Sequence, residues 1–180
     1  KDDNKKIAIN YSLQNLKLNK NIYVSGNFEN ENYFVNYRND LMNIFSPKEN
    51  FINSHSDIIS KLKKSNSISI HIRRGRFSDQ RGLNNDPENK IKSDNFTNEI
   101  VNYINRSIKY ISKNVENPEY FIWSNDFKHF DSIAAKINLE NYELINTNDP
   151  INDFYLFKFV KHFIVGPSSF HWWGAWLNNN

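Results

Sequence analysis

Two adjacent arginines, Arg73 and Arg74, follow a short stretch in which polar and apolar residues alternate. A guanidinium group stays charged at any physiological pH and can form two parallel hydrogen bonds to a phosphate. Two such groups side by side are costly to bury without an anion. The pair therefore predicts a site for a phosphate-bearing ligand, with a surface pair bonded to acidic neighbours as the alternative. His71, two residues earlier, is either a ligand contact or a core histidine.

The segment Gly-Pro-Ser-Ser at 166–169 precedes an apolar stretch with helical character. The first turn of a helix carries unpaired N–H groups and a partial positive charge, so it attracts anions. The hydroxyl groups of Ser168 and Ser169 can donate to phosphate oxygens there, and plain helix capping is the alternative. The three tryptophans that follow are expected to pack, although one of them could line a sugar or base pocket.

Two carboxylates complete the set of candidate ligand contacts. Asp126 ends a Ser-Asn-Asp cluster that follows an apolar run, and it either binds the ligand or caps the next helix. Asp153 lies near the start of a predicted helix, where a negative charge is favoured. A carboxylate can also accept both N–H groups on the edge of guanine. The residues alone leave these alternatives open.

The elements that must position these residues alternate between helix and strand from residue 54 onward. Predicted strands cover 21–25, 67–72, 119–124, 142–145 and 162–165; predicted helices cover 31–45, 55–64, 94–112, 126–136, about 149–161 and 170–177. The polar stretch 76–93 is predicted to be a loop. Such alternation favours an α/β fold in which helices flank a parallel sheet. Ligands then bind beyond the carboxyl ends of the strands, where the polar clusters 71–74, 124–126 and 166–169 fall.

Composition excludes several classes of protein. The 180 residues contain no cysteine, which excludes disulfides and thiolate metal sites, and aromatic residues reach 15%. The net charge of +3 is too small to indicate a nucleic-acid partner; it suits an anionic small molecule or a membrane surface. No apolar run approaches the roughly 20 residues of a membrane span. These features predict a cytoplasmic protein, and peripheral association with a membrane is the alternative. We expect no metal ion, since the His and Asp residues show no compact ligand spacing.

The same motifs resemble those of the α-1,2-fucosyltransferases, glycosyltransferase family 11. The sequence HIRRG at 71–75 resembles the family signature His-x-Arg-Arg-Gly-Asp, and YFIWSND at 120–126 is similar to its second motif. The third block is the most specific, and it resembles DFYL at 153–156, KH at 161–162 and SSFHWWGAWL at 168–177. The likeness covers about residues 22–180, in the family's order and spacing.

The resemblance implies the carboxy-terminal, donor-binding part of a GT-B glycosyltransferase with a Rossmann-like fold. It also implies inverting, metal-independent transfer of fucose from GDP-fucose to a hydroxyl of a glycan acceptor, with no further cofactor. Arg73 and Arg74 would grip the donor phosphates and act in catalysis. The remaining donor contacts would be made by His71, Asp153, Ser168 and Ser169.

Three positions depart from the family pattern: Arg76 stands in place of Asp, Asn125 in place of Asp, and His171 in place of Ser. The family's Gly-rich amino-terminal segment is also absent. We therefore interpret 1–53 as a partial amino-terminal lobe or hinge, and 54–180 as a nucleotide-sugar-binding domain. The alternatives are a non-catalytic relative that binds nucleotide sugar and an unrelated anion-binding α/β domain.

Inverting transfer also requires the acceptor hydroxyl to lose a proton, which a carboxylate or a histidine usually accepts. Asp79, Asp86 and His171 are candidates for that base by their position in the sequence alone.

Overall fold

The computed structural model describes residues 30–77 and 87–179. Four strands and seven α-helices follow one another there: α1 Arg38–Ile44, α2 Glu49–Ser54, α3 Ser56–Lys64, β1 Asn66–Ile72, α4 Pro87–Asn114, β2 Pro118–Ser124, α5 Asp131–Ala134, β3 Glu143–Ile145, α6 Pro150–Leu156, β4 His162–Ile164 and α7 Ser169–Trp176. Short 3₁₀ turns precede α1, at Glu31–Tyr33 and Val35–Tyr37, and follow α6, at Phe157–Phe159.

The four strands form one parallel sheet in the order β3-β2-β1-β4. Ile72 at the end of β1 lies opposite Ser124 at the end of β2, and Ile70 lies opposite Ile164 at the end of β4. The carboxyl ends of all strands therefore meet at one edge. The predicted α/β fold, a parallel sheet flanked by helices, is confirmed.

Alternation along β1 sends its side chains into two separate packing layers. Ile68, Ile70 and Ile72 are completely buried and pack with the apolar face of α4. The other face of the strand carries Ser67 and Ser69, which are also completely buried. Both faces of the sheet are therefore covered, as is usual for parallel sheets.

The second layer is largely aromatic. Phe121 and Trp123 of β2 pack with Phe51 of α2 and with Leu156 and Phe157 at the end of α6. The rings of Trp123 and Phe157 are 4.9 Å apart between centroids. This layer lies beneath α7, because a methyl group built on Gly174 would stand only 2.5 Å from Cδ2 of Phe157. The absence of a side chain at Gly174 lets α7 settle directly onto the aromatic layer.

Gly174→Ala is therefore expected to destabilise the fold by about 1–3 kcal/mol, the usual cost of overpacking a filled core. The ring of Phe157 is completely buried and cannot move aside without disturbing its neighbours. The midpoint of chemical denaturation measures the loss, and Ala175→Gly is the control, since it removes a methyl one position along the same helix. An unchanged midpoint in Gly174→Ala would mean that α7 is not held tightly against Phe157.

Several predicted element boundaries are wrong. The predicted loop 76–93 becomes helix from Pro87 onward, so Ser93 and Asp94 lie inside α4 and not at its start. Proline suits the first turn of a helix because the N–H it lacks has no partner there. The predicted single helix 31–45 consists of two 3₁₀ turns followed by α1.

The predicted helix 126–136 is mostly a turn, with α5 occupying only Asp131–Ala134. The carboxylate of Asp126 accepts a hydrogen bond from the amide of Lys128 at 2.7 Å, so it closes a turn and does not cap a helix. The predicted helix 149–161 ends at Leu156 and continues as a 3₁₀ turn. The N-cap of α6 is Asp149, whose side chain accepts from the amide of Ile151 at 2.9 Å.

Residues 30–53 are closely attached to the rest of the described chain. Arg38 donates to the carbonyl oxygens of Trp176 and Asn178 at 3.1 and 2.6 Å, and Phe51 belongs to the aromatic layer. The boundary between 53 and 54 stays a prediction, and the predicted strand 21–25 lies outside the described residues. Within 30–77 and 87–179, no helix combines the length and the apolar character that crossing a membrane requires.

Candidate functional site

The predicted clusters lie together at the carboxyl edge of the sheet. Arg73 directly follows β1, and the turn that links β4 to α7 lies beside it. A methyl group built on Gly166 would stand 3.3 Å from the carbonyl oxygen of His71, so the turn touches the end of β1. The start of α7 at Ser168 and the arginine pair therefore lie on one edge. That they bind one ligand stays a prediction.

Arg74 is turned onto the loop that follows β2. Its guanidinium donates to the carbonyl oxygens of Asp126 and Lys128 and lies 3.3 Å from the Asp126 carboxylate. Its backbone is held as well: Asn125 accepts from the Arg74 amide at 2.7 Å and donates to the Arg74 carbonyl at 3.2 Å. Arg74 therefore braces the edge by joining the ends of β1 and β2.

Arg73 is placed differently. Its side chain is exposed, and within residues 30–77 and 87–179 it makes no hydrogen bond and no ion pair. Gly75 then reverses the chain with a φ of 67°, a conformation that glycine adopts at no steric cost. Arg76 lies with its guanidinium 5.0 Å from the centre of the Phe96 ring on α4. Of the three arginines, Arg73 is the one that is exposed and whose guanidinium makes no hydrogen bond, ion pair or ring contact within 30–77 and 87–179.

His71 and His171 form a buried pair behind the edge. His71 is 6% exposed and His171 is completely buried, with 5.6 Å between their ring centroids. Burial lowers the pKa of His71 to about 4, assisted by the charge of Arg73. Burial likewise lowers the pKa of His171 to about 3, assisted by His71. Both rings are therefore neutral at physiological pH.

The structure overturns one proposed role for His171. A general base must reach the acceptor hydroxyl directly or through one water, and a completely buried ring cannot do so. Its Nε2 is instead bonded to the hydroxyl of Ser69 at 2.7 Å. The other two candidate bases, Asp79 and Asp86, lie outside the described residues.

Ser168 occupies the N-cap position of α7, but its hydroxyl makes no capping hydrogen bond. The predicted serine cap is therefore wrong. The Ser168 amide is bonded to the carbonyl of Gly166 at 2.8 Å, which tightens the turn. Ser168 is buried, whereas Ser169 at the first helical position is exposed. The helix presents the positive end of its dipole at this edge.

The tryptophans of α7 serve packing. Trp172 stacks on Trp176 with 5.9 Å between ring centroids, and Trp173 packs against Phe34. The indole N–H of Trp176 donates to the carboxylate of Glu31 at 3.0 Å. Two of these contacts attach the segment before α1 to the last helix.

Asp153 lies on the first turn of α6, beyond the end of β3. One of its carboxylate oxygens accepts from both the amide and the hydroxyl of Thr147, at 3.1 and 2.9 Å. Burial raises the pKa of Asp153, and the two bonds from Thr147 oppose that shift. The carboxylate thus has a fixed orientation at the same edge of the sheet, on the side of β3.

Sequence reasoning missed Ser69 as part of the site, and it missed the role of Asn125. Asn125 holds the Arg74 backbone at two points, and Ser69 holds His171. A signal existed for Ser69, because it lies two residues before His71 and alternation places both on one face of β1. Asn125 belongs to the polar cluster 124–126 that the sequence placed at the edge, but no local pattern indicated its partner Arg74, which lies 51 residues away.

Comparison with known proteins identifies the family. The sequence profile of glycosyl transferase family 11 matches residues 6–180. The chain belongs to this family. It is 30% identical over 159 residues to an alpha-1,2-colitosyltransferase of Escherichia coli. The matched region covers 86% of the chain and 50% of that protein. It is 28% identical over 176 residues to the O-antigen biosynthesis glycosyltransferase WbnK of Escherichia coli, covering 92% of the chain and 54% of that protein.

The chain spans about half the length of these two members of family 11. No solved structure matches it significantly. Within the described parts of this family 11 chain, no group of three His, Cys, Asp or Glu side chains is placed to hold a metal ion. Metal independence stays a prediction.

Proposed function

We propose that this chain forms the donor-binding part of a glycosyltransferase that moves fucose from GDP-fucose to a glycan hydroxyl. The transfer would form an α-1,2 linkage with inversion and without a metal ion. Membership of family 11 supports glycosyl transfer. The names of the two relatives, which describe α-1,2 transfer of colitose and O-antigen synthesis, support a glycan acceptor.

The proposal depends on the proximity of two groups that can bind phosphate, the Arg73 side chain and the start of α7. The exposed Arg73 lies at the end of β1, and the start of α7 is held beside it by the contact between Gly166 and the His71 carbonyl. Arg73 supplies a planar cation with two parallel donors, and the start of α7 supplies the free N–H groups of a helix N-terminus. A diphosphate fits between them because it offers charge to both.

The chemistry follows from the charge of the leaving group. When the bond between C1 of the sugar and the β-phosphate oxygen breaks, negative charge builds on the departing GDP. Preorganised donors aimed at that charge lower the barrier without reorganising. In this arrangement Arg73 meets the phosphate directly, while Arg74 acts from behind by holding the loop of Asp126 in place.

The nucleoside would extend along the edge toward Asp153. Its carboxylate is fixed by Thr147 through one oxygen, and the guanine edge carries two N–H groups that a carboxylate can accept. Recognition of guanine through these N–H groups distinguishes it from adenine, whose corresponding edge lacks them. GDP is therefore proposed as the bound nucleotide, and Asp126 would line the loop opposite.

The expected result is that GDP binds in the presence of a chelator and that ADP binds at least tenfold more weakly. Isothermal titration of both nucleotides, with and without EDTA, measures this. Loss of GDP binding on chelation would contradict the cationic clamp, because the guanidinium and the helix start need no metal. Equal affinity for ADP would contradict the assignment of guanine.

Transfer is tested separately from binding. Incubation with GDP-fucose and a galactoside acceptor is expected to yield a fucosylated product with inverted configuration at C1. Binding of GDP without transfer to any acceptor would favour a non-catalytic nucleotide-sugar-binding relative. The name of the colitosyl-transferring relative makes colitose the second candidate sugar, so GDP-colitose is the matched donor for comparison.

A further inference from the structure

One face of β1 carries a column of polar side chains that leads from the interior to the edge. Ser67, Ser69 and His71 alternate with the isoleucines, and both serines are completely buried. The Ser67 hydroxyl bonds to backbone groups: it donates to the carbonyl of Leu62 at 2.7 Å and accepts from the amide of Lys161 at 3.0 Å. Ser69 instead meets a side chain, His171 of α7.

His171 connects this column to α7. Its Nε2 lies 2.7 Å from the Ser69 hydroxyl, and its ring packs against Phe157 and Phe163 with centroids 5.0 and 5.6 Å away. The His71 ring lies against two consecutive residues of α7, with centroids 5.7 Å from Phe170 and 5.6 Å from His171. The orientation of His71 is therefore set by the first turn of α7.

The buried nitrogens indicate where the ring protons reside. Nδ1 of both histidines is buried and has no hydrogen-bond partner among residues 30–77 and 87–179. A buried N–H without an acceptor is rarer and costlier than an unprotonated nitrogen in the same place. A neutral imidazole carries one proton, so the geometry favours the Nε2–H form of His71, which leaves that N–H as a donor for the edge. Nε2 of His171 shares a hydrogen bond with the Ser69 hydroxyl.

We propose that His171 and Ser69 are positioning residues: together they hold His71 so that its Nε2–H points to the nucleotide bound at the edge. The inference rests on the proposed function, since it requires a nucleotide there. It assigns a role to His171, which stands where the resembling family motif has serine. It also explains why a buried polar pair is kept inside an otherwise aromatic layer.

The test compares Ser69→Ala with Ser67→Ala in the full chain, with GDP as the probe. Both serines are completely buried on the same face of one strand, but only Ser69 contacts His171. Ser69→Ala is expected to weaken GDP binding about fivefold, the effect of losing one ordinary hydrogen bond. Ser67→Ala is expected to lower the melting temperature without changing the GDP affinity.

A double-mutant cycle with His71→Ala separates positioning from general damage. Once His71 is removed, Ser69→Ala is expected to have no further effect on GDP affinity, because its influence passes through that ring. His171→Gln, whose amide can still donate to Ser69, is expected to retain more affinity than His171→Leu.

The ¹⁵N chemical shifts of the histidine rings give a readout that needs no ligand. They are expected to show the Nε2–H form of His71 in the parent and a mixture of both forms in Ser69→Ala. Unchanged shifts together with unchanged GDP affinity in Ser69→Ala would overturn the proposal and reduce the pair to core packing. Failure of the parent to bind GDP would overturn the proposed function instead, and the ring shifts would still report whether the pair fixes His71.

Discussion

Arg73→Lys is expected to lower the rate of fucosyl transfer on the order of 100-fold while leaving the melting temperature unchanged. Lysine keeps the positive charge but loses the planar pair of donors that fits a phosphate at two points. The β-phosphate acquires its full charge only as the sugar departs, so the loss should appear mainly in kcat. Stability should not change, because Arg73 is exposed and bonds to no residue in 30–77 or 87–179.

The control for this substitution is Arg106→Lys, which changes an equally exposed arginine on α4, well away from the carboxyl edge. It is expected to transfer fucose at the parental rate. Initial rates with GDP-fucose and a galactoside acceptor, together with GDP titrations, separate kcat from donor affinity. If Arg73→Lys matched Arg106→Lys in rate and GDP affinity, the exposed arginine would be ordinary surface charge and the clamp would be wrong.

The sheet could be predicted from the sequence because its strands obey simple patterns. β1 alternates isoleucine with small polar residues, and β2 is a continuous apolar run that suits a strand buried on both faces. Consecutive parallel strands separated by helices bring their carboxyl ends to one edge. The location of the candidate site therefore followed from the order of the elements, before any contact was known.

The helices were harder to delimit, for identifiable reasons. The first two turns of α4 are polar, and Ile91 within them is 60% exposed, so no apolar face indicates a helix there. The stretch after β2 has helical composition, but His129 adopts a φ of 56°, which interrupts a right-handed helix. The Asp126 carboxylate then closes a turn around the Lys128 amide.

The bonding within the site could not be predicted from local patterns at all. Arg74 is joined to Asn125 across 51 residues, and Ser69 is joined to His171 across 102 residues. These contacts arise only when the strands are registered and α7 has packed on the sheet. The adjacent arginines look equivalent in sequence, yet one faces outward and the other braces a loop.

The buried histidine pair gives the fold a marked dependence on pH. The pKa of His71 is about 4 and that of His171 about 3 in the folded chain, whereas an unfolded histidine titrates near about 6.5. Between these values the unfolded state binds more protons, so the contribution of the neutral pair to stability is complete above about pH 6.5 and is lost as the pH falls through about 4 and then about 3. Besides burial, the charge of Arg73 lowers the pKa of His71, and His71 lowers the pKa of His171.

Lowering the pH from 7 to 5 is therefore expected to cost about 2 kcal/mol of unfolding free energy for each buried histidine, or about 4 kcal/mol for the pair. Urea unfolding at both pH values measures this difference. His171→Gln should remove about half of the pH dependence while keeping a donor to Ser69, because only His71 then has to be charged on unfolding.

His129→Asn is the control: His129 is exposed in the folded chain, so its removal should leave the difference between pH 7 and pH 5 intact. If His171→Gln had no more influence on that difference than His129→Asn, the ring of His171 would not be held neutral by burial, and the layer beneath α7 would have to be open to water.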